Sequence, residues 1–112
     1  MPSTCRWNWA SDMRAALCAF ALVAACGSAA AATHVVTIEG MKFQPEALTV
    51  HRGDRITWTN KDLVPHTVTS AGAFDSGAIA PGKSWSWVAG APGAHDYVCT
   101  YHPTMKAKVV VR

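Results

Sequence analysis

Leu48-Thr49-Val50-His51-Arg52-Gly53-Asp54-Arg55-Ile56-Thr57-Trp58 reads as two short alternations of apolar and polar residues on either side of a turn. Successive side chains of a strand point to opposite faces, so Leu48 with Val50, and Ile56 with Trp58, each build one apolar face. The same alternation returns at Val36 and Ile38, at Trp85 and Trp87 between serines, and at Val109 and Val111. The separators carry turn chemistry: Arg52-Gly53-Asp54, Asn60-Lys61-Asp62, Ser70-Ala71-Gly72, Ala80-Pro81-Gly82-Lys83 and Gly90-Ala91-Pro92-Gly93. Pro81-Gly82 predicts a type II turn, because proline presets the first central angle and glycine accepts a positive φ at the second. No stretch of helical period follows Thr33, and turns this frequent predict an all-β sandwich or barrel whose two sheets bury the apolar rows between them.

Upstream of Thr33 the text changes character. Arg6 and Arg14 precede an apolar run from Ala15 to Ala25, which gives way to small residues from Cys26 to Ala32. Basic, then apolar, then small is the order of a secretory signal peptide. Residues 1–32 are therefore read as a signal peptide and 33–112 as one domain, with the periplasm as destination. Met13 is an alternative start. The run is about 11 residues, against the ~20 that a bilayer span needs, so no membrane span is expected. Ala30-Ala31-Ala32 suits cleavage to a soluble protein starting near Thr33, whereas Leu22-Val23-Ala24-Ala25-Cys26-Gly27 resembles a lipobox in which Cys26 would carry a lipid anchor. From Thr33 onward eight Lys and Arg face six Asp and Glu, a net charge of +2, too mild and dispersed to argue for nucleic acid.

Of four cysteines, Cys5, Cys18 and Cys26 fall in the leader, and Cys99 stands alone in the domain. A disulfide framework is excluded by that arithmetic, leaving intermolecular pairing, a reactive thiol or a metal ligand. Cys99 lies in Tyr97-Val98-Cys99-Thr100-Tyr101-His102-Pro103-Thr104-Met105, which sets thiolate, imidazole and thioether at C-x-x-H-x-x-M spacing. Val64-Pro65-His66-Thr67-Val68 supplies a second imidazole at the start of a strand. A lone Cys is usually a small buried hydrophobe, a lone Met core filler, a lone His a surface residue. Together, at this spacing, they read as a metal site: two imidazoles and a thiolate with a weak axial thioether form the ligand set of blue-copper electron-transfer centres. Thiolate and thioether favour Cu(I), imidazoles suit both oxidation states, and no ligand position has to open for a substrate.

The chain resembles the cupredoxins, and within them the amicyanin and plastocyanin branch. The resemblance rests on Phe43-Gln44-Pro45, Leu48-Thr49-Val50 with Gly53-Asp54, Ile56-Thr57-Trp58-Thr59-Asn60, Pro65-His66-Thr67-Val68, Phe74-Asp75-Ser76-Gly77, and Cys99 through Met105. It implies a Greek-key β-sandwich holding one type 1 copper ion at one end, with His66, Cys99 and His102 as strong equatorial ligands and Met105 as the long axial one. It also implies a one-electron carrier that meets a redox donor and acceptor transiently through an apolar patch around His102; Pro103, Pro65 and Met41 are the residues expected to form that patch, and the domain is expected to be a monomer. Asn60 matches the family asparagine whose side chain helps tie the two ligand loops together. The ligand loop has the length found in amicyanin, although Tyr101 sits where amicyanins tend to have proline, and the N-terminus is shorter.

A second function fits the same ligands: periplasmic copper storage or delivery through a less constrained site. An enzyme does not fit, since no paired carboxylates, Ser-His-Asp set or phosphate-binding glycine loop appears. His34, His51 and His95 are read as surface residues. His102 is expected to protonate and leave Cu(I) in mild acid, because a ligating imidazole must be deprotonated.

Overall fold

The structure is a computed structural model that describes residues 30–112. Residues 1–29 of the leader, with Cys5, Cys18, Cys26 and the lipobox, fall outside the described residues. The compact unit of interest is Ala31–Arg112.

Nine strands form it: β1 (Thr33–Glu39), β2 (Lys42–Gln44), β3 (Ala47–Val50), β4 (Arg55–Asn60), β5 (Thr69–Ser70), β6 (Phe74–Asp75), β7 (Ser84–Val88), β8 (Gly93–Cys99) and β9 (His102–Val111). One sheet runs β2-β1-β4-β7, the other β3-β9-β8-β5-β6. β1 lies parallel to β4 and β3 parallel to β9; the remaining pairings are antiparallel. This is the expected all-β sandwich. Among the described residues no helix is long and apolar enough to cross a membrane.

The alternation works as read at the middle of the sheets. Val36, Ile38, Ile56, Trp58 and Val50 are fully buried, and Val109 and Val111 nearly so. Trp58 is the centre, its ring 5.6 Å from both Trp85 and Tyr97 and 5.8 Å from Phe74. Its indole N–H donates to the Tyr97 hydroxyl at 3.2 Å, giving a buried polar atom its partner. Burial lifts the Tyr97 phenol to about 12, the Trp58 bond opposing that only in part. Leu48, Trp85 and Trp87, expected inside, are only partly buried. The reason is position: β3 and β7 are sheet edges, where one flank of the apolar face is uncovered.

Both informative turns take the expected form. Lys83 N–H bonds Ala80 C=O at 3.0 Å with Gly82 at φ 78°, and Asp54 N–H bonds His51 C=O at 3.0 Å with Gly53 at φ 88°. Glycine at the third position is what that geometry requires. β1 and β4 run in parallel, so the chain ends of both point the same way, toward Gly40-Met41 and Asn60. That end also receives His66, Cys99 and His102.

Candidate metal centre

Cys99 ends β8 and His102 begins β9, paired across the turn Thr100-Tyr101. The C-x-x-H spacing is thus a hairpin turn that sets both side chains toward one point. His66 comes from the other side, held by a two-bond bridge to Ile79: His66 N–H to Ile79 C=O at 3.2 Å and the reverse at 2.7 Å. The Cys99 Sγ lies 3.7 Å from His66 Nδ1 and 3.6 Å from His102 Nδ1. All three donor atoms fall within 4.8 Å of one another.

Those distances test the fit. Bonds of about 2.0 Å to an imidazole nitrogen and about 2.3 Å to a thiolate, at tetrahedral to trigonal angles, put nitrogen and sulfur roughly 3.5–3.7 Å apart. The two observed sulfur–nitrogen distances match, as expected of a thiolate and two imidazoles placed to share one small cation. The donor set suits one type 1 copper ion. Met105 is buried on β9, 4 % exposed, among the core residues.

The surroundings fix each donor. His66 is fully buried, and its Nε2 donates to Asp62 Oδ2 at 2.8 Å. That bond commits the proton to Nε2 and leaves the Nδ1 lone pair facing Cys99, the arrangement a metal-ligating histidine needs. Asp62 in turn accepts from the Gly40 N–H at 2.7 Å and the Met41 N–H at 3.0 Å, where Met41 itself holds a positive φ of 60°. Burial pushes the Asp62 carboxyl up, and the bonds from Met41, His66 and Gly40 outweigh it, so it rests below the ordinary carboxylate value.

Asn60 is fully buried where β4 ends. Its Nδ2 donates to Val64 C=O at 2.8 Å and Ile79 C=O at 2.9 Å, and its Oδ1 accepts from Asp62 N–H at 2.9 Å. It therefore shapes the loop that delivers His66 and fastens it to the Ile79 segment, and these three bonds do not reach the Cys99–Met105 loop. The tie between the two ligand loops is made by Thr67 instead. Thr100 N–H donates to Thr67 Oγ1 at 2.8 Å, the two hydroxyls lie 3.1 Å apart, and Thr67 N–H donates to the Cys99 sulfur at 3.4 Å. Asp62 and Thr67 were not legible as site residues. The available signals were weak: a carboxylate four residues before His66, and hydroxyls directly after His66 and Cys99.

The remaining histidines stay apart from this cluster. His51 is exposed, His34 bonds Asp54 at 3.0 Å, and His95 is half-buried against Trp87, ring centroids 5.7 Å apart, rather than on the surface. Met41, Pro65 and Pro103 are exposed, as expected of a patch, and Leu63, Val64 and Tyr101 add to the apolar surface.

Comparison with known proteins bears on the same site. The profile of the cupredoxin-like domain matches residues 13–111. Amicyanin-alpha of Methylorubrum extorquens is 40 % identical over 87 % of this chain and 86 % of its own. Amicyanin of Paracoccus denitrificans is 36 % identical over 69 % of this chain and 63 % of its own. A solved structure of a Cu(I) amicyanin variant superposes with a TM-score of 0.68 at 34 % identity, covering 71 % of this chain and 82 % of that one. With a sandwich of this topology and a thiolate between two imidazoles at its end, the chain belongs to the cupredoxin family, in its amicyanin branch.

Proposed function

We propose that this chain is an exported, periplasmic blue-copper carrier that passes single electrons between a donor and an acceptor protein, with His66, Cys99 and His102 as strong copper ligands and Met105 as the long axial one. The observation that carries this reading is the Cys99 sulfur set 3.7 Å and 3.6 Å from two imidazole nitrogens. Copper bound there supplies a Cu(I)/Cu(II) couple, which soft sulfur and borderline nitrogen donors together accommodate.

The protein's own residues do the rest. Asp62 and the Ile79 bridge hold His66 from behind, Thr67 N–H steadies the Cys99 sulfur, and full burial of Cys99 and His66 keeps water from both. A site held in one geometry limits rearrangement when an electron moves. His102 is only half-buried, with exposed Tyr101 and Pro103 on either side, and it serves as the port through which electrons pass. Met41, Val64, Pro65 and Pro103 offer the small apolar face that brief redox encounters use. With Met105, buried on β9, as the proposed fourth donor, the set would leave no position open for a substrate, and the isolated chain would serve as a carrier rather than an enzyme.

The test is the visible absorption and EPR of the Cu(II)-loaded domain before and after ascorbate. An intense thiolate-to-copper band with narrow hyperfine splitting, bleached reversibly and absent in Cys99→Ser, is expected. A pale tetragonal signal would remove Cys99 from the copper and leave storage or delivery as the function. Docking is tested separately: Pro103→Asp should slow electron exchange with small redox proteins and leave the band in place.

A further inference from the structure

At the end of the sandwich away from the metal centre, Asp54 collects nitrogen donors. Its side chain is 6 % exposed. Oδ2 accepts from His34 Nε2 and from the His51 N–H, each at 3.0 Å, and His51 Nδ1 lies 3.9 Å away. Oδ1 accepts from the Ala32 N–H at 3.0 Å. Among the described residues the ion-pair partners of this carboxylate are two imidazoles, groups charged only when protonated, and no Lys or Arg. A covered carboxylate without a permanent cation is uncommon, because the charge loses water and gains only dipoles.

Ala32 is also where the backbone joins the sheet, its C=O accepting from Arg55 N–H at 2.9 Å. Just before it, Ala29-Ala30-Ala31-Ala32 offers several equivalent cutting registers to a peptidase that reads small residues. The sequence does not choose among them, but each would leave a different group facing Asp54 in the folded domain. Cutting before Thr33 deletes the donor to Oδ1. Cutting before Ala30 or Ala31 leaves a neutral amide there. Cutting between Ala31 and Ala32 places a full positive charge 3.0 Å from Oδ1.

We infer that the mature chain begins at Ala32 and that its α-ammonium forms an ion pair with Asp54, pinning the first strand at the end opposite the metal. Water adds across the Ala31–Ala32 peptide bond under a signal peptidase, the carboxylate stays on Ala31, and the new amine of Ala32 takes up a proton. The inference rests on the export reading above. A first residue tied in this way is spared the fraying usual at chain ends.

The experiment starts from the full 112-residue chain, produced with its own leader in a bacterial host, and measures the intact mass of the domain recovered. A species covering 32–112 is expected. A species starting at Thr33, at Ala30, at Ala31 or at a lipidated Cys26 overturns this inference and leaves export standing, whereas a chain retaining its leader overturns both. On the recovered protein, labelling of the α-amine by an amine-reactive reagent near neutral pH should be about tenfold slower than in Asp54→Asn, one pKa unit of protection by the carboxylate. Equal labelling in the two would overturn the ion pair even if the cut is where we place it. The asparagine keeps the acceptor oxygen, so the comparison is made between folded proteins.

Discussion

Two aspartates in this domain hold nearly the same set of bonds at opposite ends of it. Asp62 accepts from a histidine Nε2 at 2.8 Å and from two backbone N–H groups, those of Gly40 and Met41. Asp54 accepts from a histidine Nε2 at 3.0 Å and from two backbone N–H groups, those of Ala32 and His51. Each fastens one end of β1, Asp54 where the strand begins and Asp62 at the turn that follows it. What separates them is the other nitrogen of the imidazole. His66 is fully buried with Nδ1 facing the Cys99 sulfur at 3.7 Å, while the bonded ring of His34 belongs to no such cluster. One carboxylate clamp thus serves twice, as a strand anchor and as the support that aims the His66 ring at the Cys99 sulfur, and the neighbour of the imidazole decides which.

The strongest way to break this comparison is to truncate both carboxylates in turn. Asp62→Ala leaves His66 Nε2, Gly40 N–H and Met41 N–H without their acceptor. Loss of the group behind a ligating histidine should weaken copper binding by about 10–100-fold. The buried His66 imidazole left without its acceptor should cost on the order of 1–3 kcal/mol of stability in the metal-free protein, whereas the Gly40 and Met41 N–H groups, both exposed, turn to water. Asp54→Ala should reduce stability while leaving copper affinity as it was. Competition titration against a chelator of known affinity, alongside thermal unfolding of the metal-free proteins, separates the two effects. Equal losses of affinity in both variants would mean that Asp62 acts through general stability and not through His66.

A smaller effect sharpens the contrast from within the metal end, where the two ligand loops are tied by a device with no counterpart around Asp54. Thr67→Val keeps the shape and removes the oxygen that Thr100 N–H reaches at 2.8 Å. The expected loss is about 1 kcal/mol, that of one part-buried hydrogen bond whose donor can turn to water. The thiolate-to-copper band should shift as the Cys99 turn relaxes, since Thr67 N–H also touches the sulfur at 3.4 Å. A band unmoved to within instrumental error would show that the turn is held by the β8–β9 ladder alone.

How much of this was legible beforehand follows the range of the interactions. Strand faces such as Val36 with Ile38 and the turn at Pro81-Gly82 depend on neighbours a few residues apart, and they read off the sequence. Cys99 and His102 come together as their separation by two turn residues suggests, whereas His66, 33 positions from Cys99, joins them only through the fold. Leu48, Trp85 and Trp87 show where period-two reasoning stops: alternation names a face, but whether it is covered depends on which strand ends up at an edge. Asn60 shows the same limit. It was recognisable as a residue with a role, yet its partners Val64 and Ile79 are set by the path of two loops. Thr67 with Thr100, and Asp62 with Gly40, join residues 33 and 22 positions apart, which no local pattern announces.

The smallest effect concerns acid, and it returns to Asp54. Its carboxyl is lowered from 3.8 to about 2, first by the bond from His34, then by the N–H groups of His51 and Ala32. A carboxyl whose pKa is lower folded than unfolded adds stability that is complete above the unfolded value and disappears as pH falls through the folded one. The difference in unfolding midpoint between the metal-free protein and Asp54→Asn should therefore shrink from its value at about pH 5 as pH falls between about 4 and 2. Thermal unfolding followed by circular dichroism across that range measures it directly, and subtraction removes the contribution of other carboxyls. A difference that does not shrink would assign the stabilisation to the hydrogen bonds, which asparagine can partly keep, and not to the charge. At neutral pH the copper spectrum of the same variant should be unaltered. Six residues of β4 separate Asp54 from the end that carries Asn60, about 20 Å of extended strand, and a change at that distance from His66 and Cys99 leaves the donors where they stand.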